Sequence, residues 1–179
     1  EVTSSLHRWN WLLYGLSEDN IHKLSREEGL SLIRSWLRCC LSLERFNNDA
    51  YSSSERIVNA SIFLLTTGDK TVPLDIQNAF QYMATQIAKN LEYYEEDMTG
   101  NHAFNNARGL LFAGIISKLP FAKELAIEVF KERLPKLVTD DGFLREGSSH
   151  YHFLFTPYTT IMFYYSVTFI SHHNIYFTF

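Results

Sequence analysis

The chain has 179 residues, 46% of them apolar, with a formal charge of −4 and a pI near 6.0. That is enough apolar mass to bury a core as one domain or as part of a larger one, which excludes intrinsic disorder. Its 16 basic residues are outnumbered by 20 acidic ones and are scattered, which excludes the electrostatic footprint of a nucleic-acid binder.

Residues Glu1 to Ser5 lack a basic stretch leading into an apolar one, so no signal peptide is expected in this chain. Cys39 and Cys40 are adjacent in a helical stretch, a placement that suits small buried hydrophobes better than a disulfide or a metal pair. Ser25-Arg26-Glu27-Glu28 has the form of a capping box, and Leu30, Ile33, Leu37 and Leu41 follow it at helical spacing. This predicts a first amphipathic helix. Ser52 to Glu55 repeats the capping pattern before Ile57, Val58, Ile62 and Leu65, and Gly68 stands where the second helix stops. Pro73 opens a third, in which Ile76, Phe80, Met83, Ile87, Leu91 and Tyr94 keep the rhythm for about six turns. Asn105 or Asn106 opens a fourth through Leu110, Leu111 and Ile115. Pro120 opens a fifth through Leu125, Val129 and Leu134, bent at Pro135. The segment TDDGFLREG from Thr139 to Gly147 reads as a loop, with a sixth helix starting near Ser148.

Short connections make these helices antiparallel neighbours. The predicted fold is all-α, a run of helical hairpins that fits a toroid, a solenoid or a bundle. No repeat of fixed period is visible, which weakens the common solenoid families. The last 21 residues, Thr159 to Phe179, carry no Asp, Glu, Lys or Arg and are rich in Phe, Tyr, Ile and Thr. Ser171, His172, His173 and Asn174 interrupt them, so a membrane span is not expected. They read either as a buried, strand-like end or as a tail left by a premature stop. The expected division is therefore a helical domain over 1–158 and an aberrant aromatic-rich tail over 159–179.

Two polar clusters stand at predicted helix beginnings. One is Thr99-Gly100-Asn101-His102 with Asn105 and Asn106, and the other runs from Arg145 and Glu146 through Tyr151 and His152. With alternating helices, the starts of the fourth and sixth lie at one end of the array, so Asn101 and Tyr151 are expected to share a rim. Helix N-termini present free N–H groups and partial positive charge, which favour an anion such as a uronate. The plainer reading of both clusters is ordinary capping. His150 and His152 point apart on a helix and have no evident third ligand, so no metal is expected. Ser148 and Ser149 lack the strand and elbow of a nucleophilic serine.

The segments GNHAFNNARGLLFAG at 100–114 and DGFLREGSSHYH at 141–152 resemble the helical domain of the heparinase II/III-like polysaccharide lyases. That family carries a Gly-Asn-His segment and, downstream, Asp-Gly, Glu-x-Ser and Tyr-His. LHRWNWLL at 6–13 and SSERIVNASIFLL at 53–65 add to the likeness, the latter resembling the family's Ser-x-Arg-Ile-x-Asn helix. Together they cover residues 6–158 in the family's order. The resemblance implies a partial (α/α) toroid that binds an acidic, uronic-acid-containing polysaccharide, of glycosaminoglycan or alginate type, and cleaves it by β-elimination without a cofactor. It also implies a periplasmic or extracellular setting. Asn101 would neutralise the substrate carboxylate, Tyr151 would serve as the acid and could act as the base as well, and His102 and His152 would assist. Arg8, Arg56, Asn105, Arg145 and Glu146 would hold the substrate. Complete family members continue into a β-sandwich domain that supplies a further histidine, and nothing here resembles it. An inactive truncated lyase, a glycan-binding remnant and a helical protein-binding scaffold are the competing readings; neither nucleic acid nor a membrane is an expected partner.

Overall fold

The structure, a computed structural model, describes residues 6–14, 23–40, 49–69, 71–92, 101–137 and 139–141. They form six helices: α1 Trp11–Tyr14, α2 Arg26–Cys40, α3 Ala50–Thr66, α4 Leu74–Lys89, α5 Asn101–Ile116 and α6 Pro120–Leu137. The described residues contain no strand and are all-α, as their periodicity indicates. The predicted sixth helix and the division at residue 158 lie outside the described residues.

The capping box at the start of α2 is formed. The Ser25 N–H donates to Glu28 Oε2 at 2.9 Å, and the Glu28 N–H donates to Ser25 Oγ at 3.3 Å, so two otherwise orphaned donors are satisfied reciprocally. Trp36 and Cys40 join Leu30 and Ile33 in the core, whereas Leu37 is half-buried and Cys39 is exposed. Only one of the two cysteines therefore acts as a buried hydrophobe. In α3 the cap is Asp49, whose carboxylate accepts from the Ser52 N–H at 2.7 Å. The predicted cap at Ser52 falls inside the first turn. Ser52, Ser53 and Ser54 are buried, and small side chains on that face let another backbone come close.

Pro73 precedes α4, and Ile76, Phe80, Met83 and Ile87 are all buried, as the spacing requires. This helix ends at Lys89, short of the predicted six turns, with Asn90 as C-cap and Leu91 half-buried beyond it. Tyr94 lies outside the described residues. Helix α5 begins at Asn101 rather than at Asn105 or Asn106, which are buried in its second turn. Lys118, at φ 53°, ends α5 in the left-handed region, and the Leu119 N–H reaches back to Gly114 O at 2.9 Å. Helix α6 then starts at Pro120 and runs through Pro135 to Leu137, with Leu134 exposed. Pro135 sits in its last turn, so little of the helix depends on the N–H that proline lacks.

Successive helices alternate in direction. Arg26 of α2 reaches the carbonyls of Leu64 and Thr67, both at 2.6 Å, while Trp36 faces Arg56, so α2 runs antiparallel to α3. Ser117 donates to Gln77 O at 3.1 Å at one end of the α4–α5 pair, and Glu92 meets His102 at the other. Phe104 packs edge-on against Phe130 where α5 and α6 pass in opposite directions. Helices α3 and α5 consequently run parallel and adjacent, with Tyr51 beside Asn105 and Glu55 beside Arg108. Their closest approach is at Gly109, where an added Cβ would stand 2.6 Å from both Cα and Cβ of Ser54.

Three carboxylates are held below their usual range. Asp75 is lowered by hydrogen bonds from Arg34, Asp69 by the Thr71 N–H and hydroxyl, and Glu28 by the Ser25 N–H and hydroxyl. A group whose pKa is lower folded than unfolded contributes stability above its unfolded value and loses it as pH falls through the folded one. The urea midpoint is therefore expected to fall below about pH 4, with Asp75→Asn less stable at neutral pH and shallower in its acid slope. An acid slope identical in wild type and variant would exclude Asp75 as a contributor.

Candidate functional site

Alternation gathers the N-termini of α3 and α5, the segment after α4 and the His7–Asn10 turn at one end of the array. Tyr51, in the first turn of α3, is the centre of the cluster found there. The Arg8 guanidinium lies 4.7 Å from the centroid of its ring, and the His102 imidazole lies 4.8 Å from it at a tilt of 49°. A cation over the negative face of a phenol ring is held electrostatically as well as by contact. His102 Nδ1 is 3.5 Å from Glu92 Oε1, and Asn105 Nδ2 donates to the Tyr51 carbonyl at 3.3 Å. Arg8, His102 and Asn105 are thus brought together, although residues 8 and 102 are far apart in sequence.

Asn106 closes this end from inside. With its nitrogen turned toward the carbonyls of Ala50 (3.3 Å) and His102 (3.2 Å), its oxygen accepts from the Glu92 N–H at 3.1 Å. One buried amide then ties the starts of α3 and α5 to the end of α4, and it is oriented by satisfying both its donors and its acceptor. Behind it, the guanidinium of Arg108 pairs with Glu55 in the α3–α5 seam, with both side chains largely buried.

Asn101 occupies the first position of α5, where N–H groups are left without intrahelical partners. Arg56, read from the sequence as a substrate ligand, is instead a core residue. It is 0% exposed, its Nε donates to the His7 carbonyl at 2.6 Å, and its guanidinium lies 4.4 Å from the Trp36 ring centroid. Burial pushes its pKa down to about 10, with Asp49 opposing the shift, so it remains charged at neutral pH. Asn105 is also buried, and its described hydrogen bond is to backbone, which leaves Arg8 and His102 as the more accessible members of the predicted set. Arg145, Glu146, Tyr151 and His152 lie outside the described residues.

Tyr51, Glu92 and the Glu55–Arg108 pair were not singled out by the sequence. The available signal was the position of Tyr51 and Glu55 on the same helix as Arg56, but their partners lie across the fold. Among the described residues no group of three or more His, Cys, Asp or Glu side chains is placed to hold a metal, and no helix is long and apolar enough to cross a membrane.

The fold and site define a class, an array of alternating helices with a cationic, aromatic cluster at one end. Comparison with protein-family profiles, with curated proteins and with solved structures returns no match.

Proposed function

We propose that this chain is helical-domain machinery of a heparinase II/III-like polysaccharide lyase, acting on a uronic-acid-containing acidic polysaccharide, with its hairpins forming part of an (α/α) toroid. The observation that carries the reading is the meeting of Arg8 and His102 on Tyr51, beside the α5 N-terminus that Asn101 opens. Arg8, Asn101 and His102 belong to the segments on which the resemblance rests, whereas Tyr51 lies just before one of them. Alternating antiparallel helices are also what successive layers of a toroid require.

In the proposed reaction a base removes the proton on C5 of the uronate, the bond from C4 to its glycosidic oxygen breaks, and an acid protonates the departing oxygen. A C4–C5 double bond remains. The C5 proton is only weakly acidic beside an ionised carboxylate, so the charge that develops there must be stabilised. Asn101 is assigned that role, aided by the free N–H groups of the helix start. Tyr151 is assigned as acid and base, which requires a cationic neighbour because a phenol ordinarily titrates near pH ~10. His102, His152 and Arg145 are the proposed neighbours, and Glu146 would orient one of them. Arg8 is assigned to a substrate carboxylate or sulfate.

The test is ultraviolet absorbance of the unsaturated uronate product during incubation with a panel of uronic polysaccharides. A rise that is lost in both Asn101→Ala and Tyr151→Phe is expected. No rise from folded protein would overturn the proposed activity; binding without a rise would identify a glycan-binding module, and neither would favour a scaffold.

A further inference from the structure

The turn that carries Arg8 is held by side chains that the proposed chemistry does not use. Trp9 has φ 61°, in the left-handed region, and is 0% exposed. A bulky residue persists in that region only where its surroundings over-determine it. Here three buried donors from α2 and α3 do so. Asn59 Nδ2 donates to Arg8 O at 2.8 Å and to Asn10 Oδ1 at 3.0 Å, Arg56 Nε donates to His7 O at 2.6 Å, and Trp36 Nε1 donates to His7 Nδ1 at 3.1 Å.

The result is visible at Arg8 itself. Its guanidinium is backed by the Tyr51 ring, its Nε has no hydrogen-bond partner among the described residues, and no described carboxylate pairs with it. A half-buried cation set against an aromatic face, with no carboxylate on it among the described residues, has the chemistry to take a carboxylate or sulfate. Buried polar groups of this kind add little net stability over apolar residues of the same volume. They do select one backbone path, and contacts to a ligand depend on placement to a fraction of an ångström.

We propose that Asn59 and Arg56 are positioning residues for Arg8. They lock the strained His7–Asn10 turn so that the guanidinium is presented to a carboxylate or sulfate of the substrate chain. The ligand half of this inference rests on the reading of Arg8 as a substrate contact; the positioning half does not.

The experiment therefore has two arms. In the first, without ligand, nitrogen-15 NMR follows the Arg8 Nε–H, which the Tyr51 ring current shifts and which Arg8→Met identifies by its loss. Asn59→Leu is expected to return that signal to the position of a solvent-exposed arginine while the amides of α4 to α6 keep theirs; Asn59→Ser, a milder change, replaces it if Asn59→Leu does not fold. An Arg8 signal unmoved in the folded variant would overturn the proposal. In the second arm, affinity for a uronate oligosaccharide is measured by calorimetry. Asn59→Leu and Arg8→Met are each expected to weaken binding about tenfold, with the double variant no weaker than either. Additive losses would overturn the link between the two residues. Absence of binding by wild type would sink the substrate reading of Arg8 while the NMR arm still decides positioning.

Discussion

Replacing Arg56 by alanine is expected to destabilise the fold by about 3–5 kcal/mol, the range for breaking a buried charged network and leaving a cavity. The guanidinium is fully buried, and three of its contacts are lost together: His7 O at 2.6 Å, Ser53 Oγ at 3.4 Å and the face of Trp36. The truncation removes the Arg56 donor from the His7 carbonyl and leaves the Trp36 face against empty space. Arg56→Met preserves volume and removes a charge whose burial is itself unfavourable. It should lose much less, about 1–2 kcal/mol, chiefly for the lost hydrogen bond to the His7 carbonyl. The pH sense follows from the lowered pKa. Because the guanidinium is harder to charge in the folded state, its burial penalty is present at every pH below about 10 and is relieved only as pH rises above that value. Stability at neutral pH thus includes a charge held against its solvation by hydrogen bonds and a ring face. Urea unfolding of the two variants checks this, and an unchanged midpoint in Arg56→Ala would contradict it.

Gly109→Ala is expected to lower stability by about 2 kcal/mol, where the same change in an exposed helix raises it by roughly 0.5–1 kcal/mol. The sign is decided by Ser54, whose Cα and Cβ would each be 2.6 Å from the new methyl carbon. A backbone atom cannot swing aside as a flexible side chain would, so α3 and α5 must separate. That seam also sets the distances among Tyr51, Asn105 and His102, so loss of stability and loss of ligand binding should appear together. A thermal midpoint lower by about 4–8 °C is the expected reading for a chain of this size. A midpoint above that of wild type would mean that the close crossing is absent.

The parts of the fold written in local patterns were legible. Helix α4 buries each of Ile76, Phe80, Met83 and Ile87, and the Ser25–Glu28 box caps α2, because both depend on neighbours three or four residues away. The serine run at 52–54 misled for the same reason: as a local signal it says cap, whereas its job is to admit Gly109 of α5. Asn105 and Asn106 likewise look like helix openers, yet their partners are Tyr51 O, Ala50 O and the Glu92 N–H across the packing interface. Arg56 was assigned to the substrate by the family resemblance, and nothing local reveals that His7 O and Trp36 wait for it. The family resemblance pointed to His102 and Arg8, which the fold brings together, while Tyr51, which joins them, belongs to no motif. Its role exists only once α3 and α5 lie parallel.

The most direct measurement is a titration of wild-type protein with a uronate oligosaccharide, followed by NMR on side chains and amides. Shifts concentrated on Arg8, Tyr51, His102 and the first turn of α5 are expected if this end of the array holds the substrate. Shifts concentrated at the opposite end, around Gly68 and Ser117, or spread evenly over the surface, would contradict it.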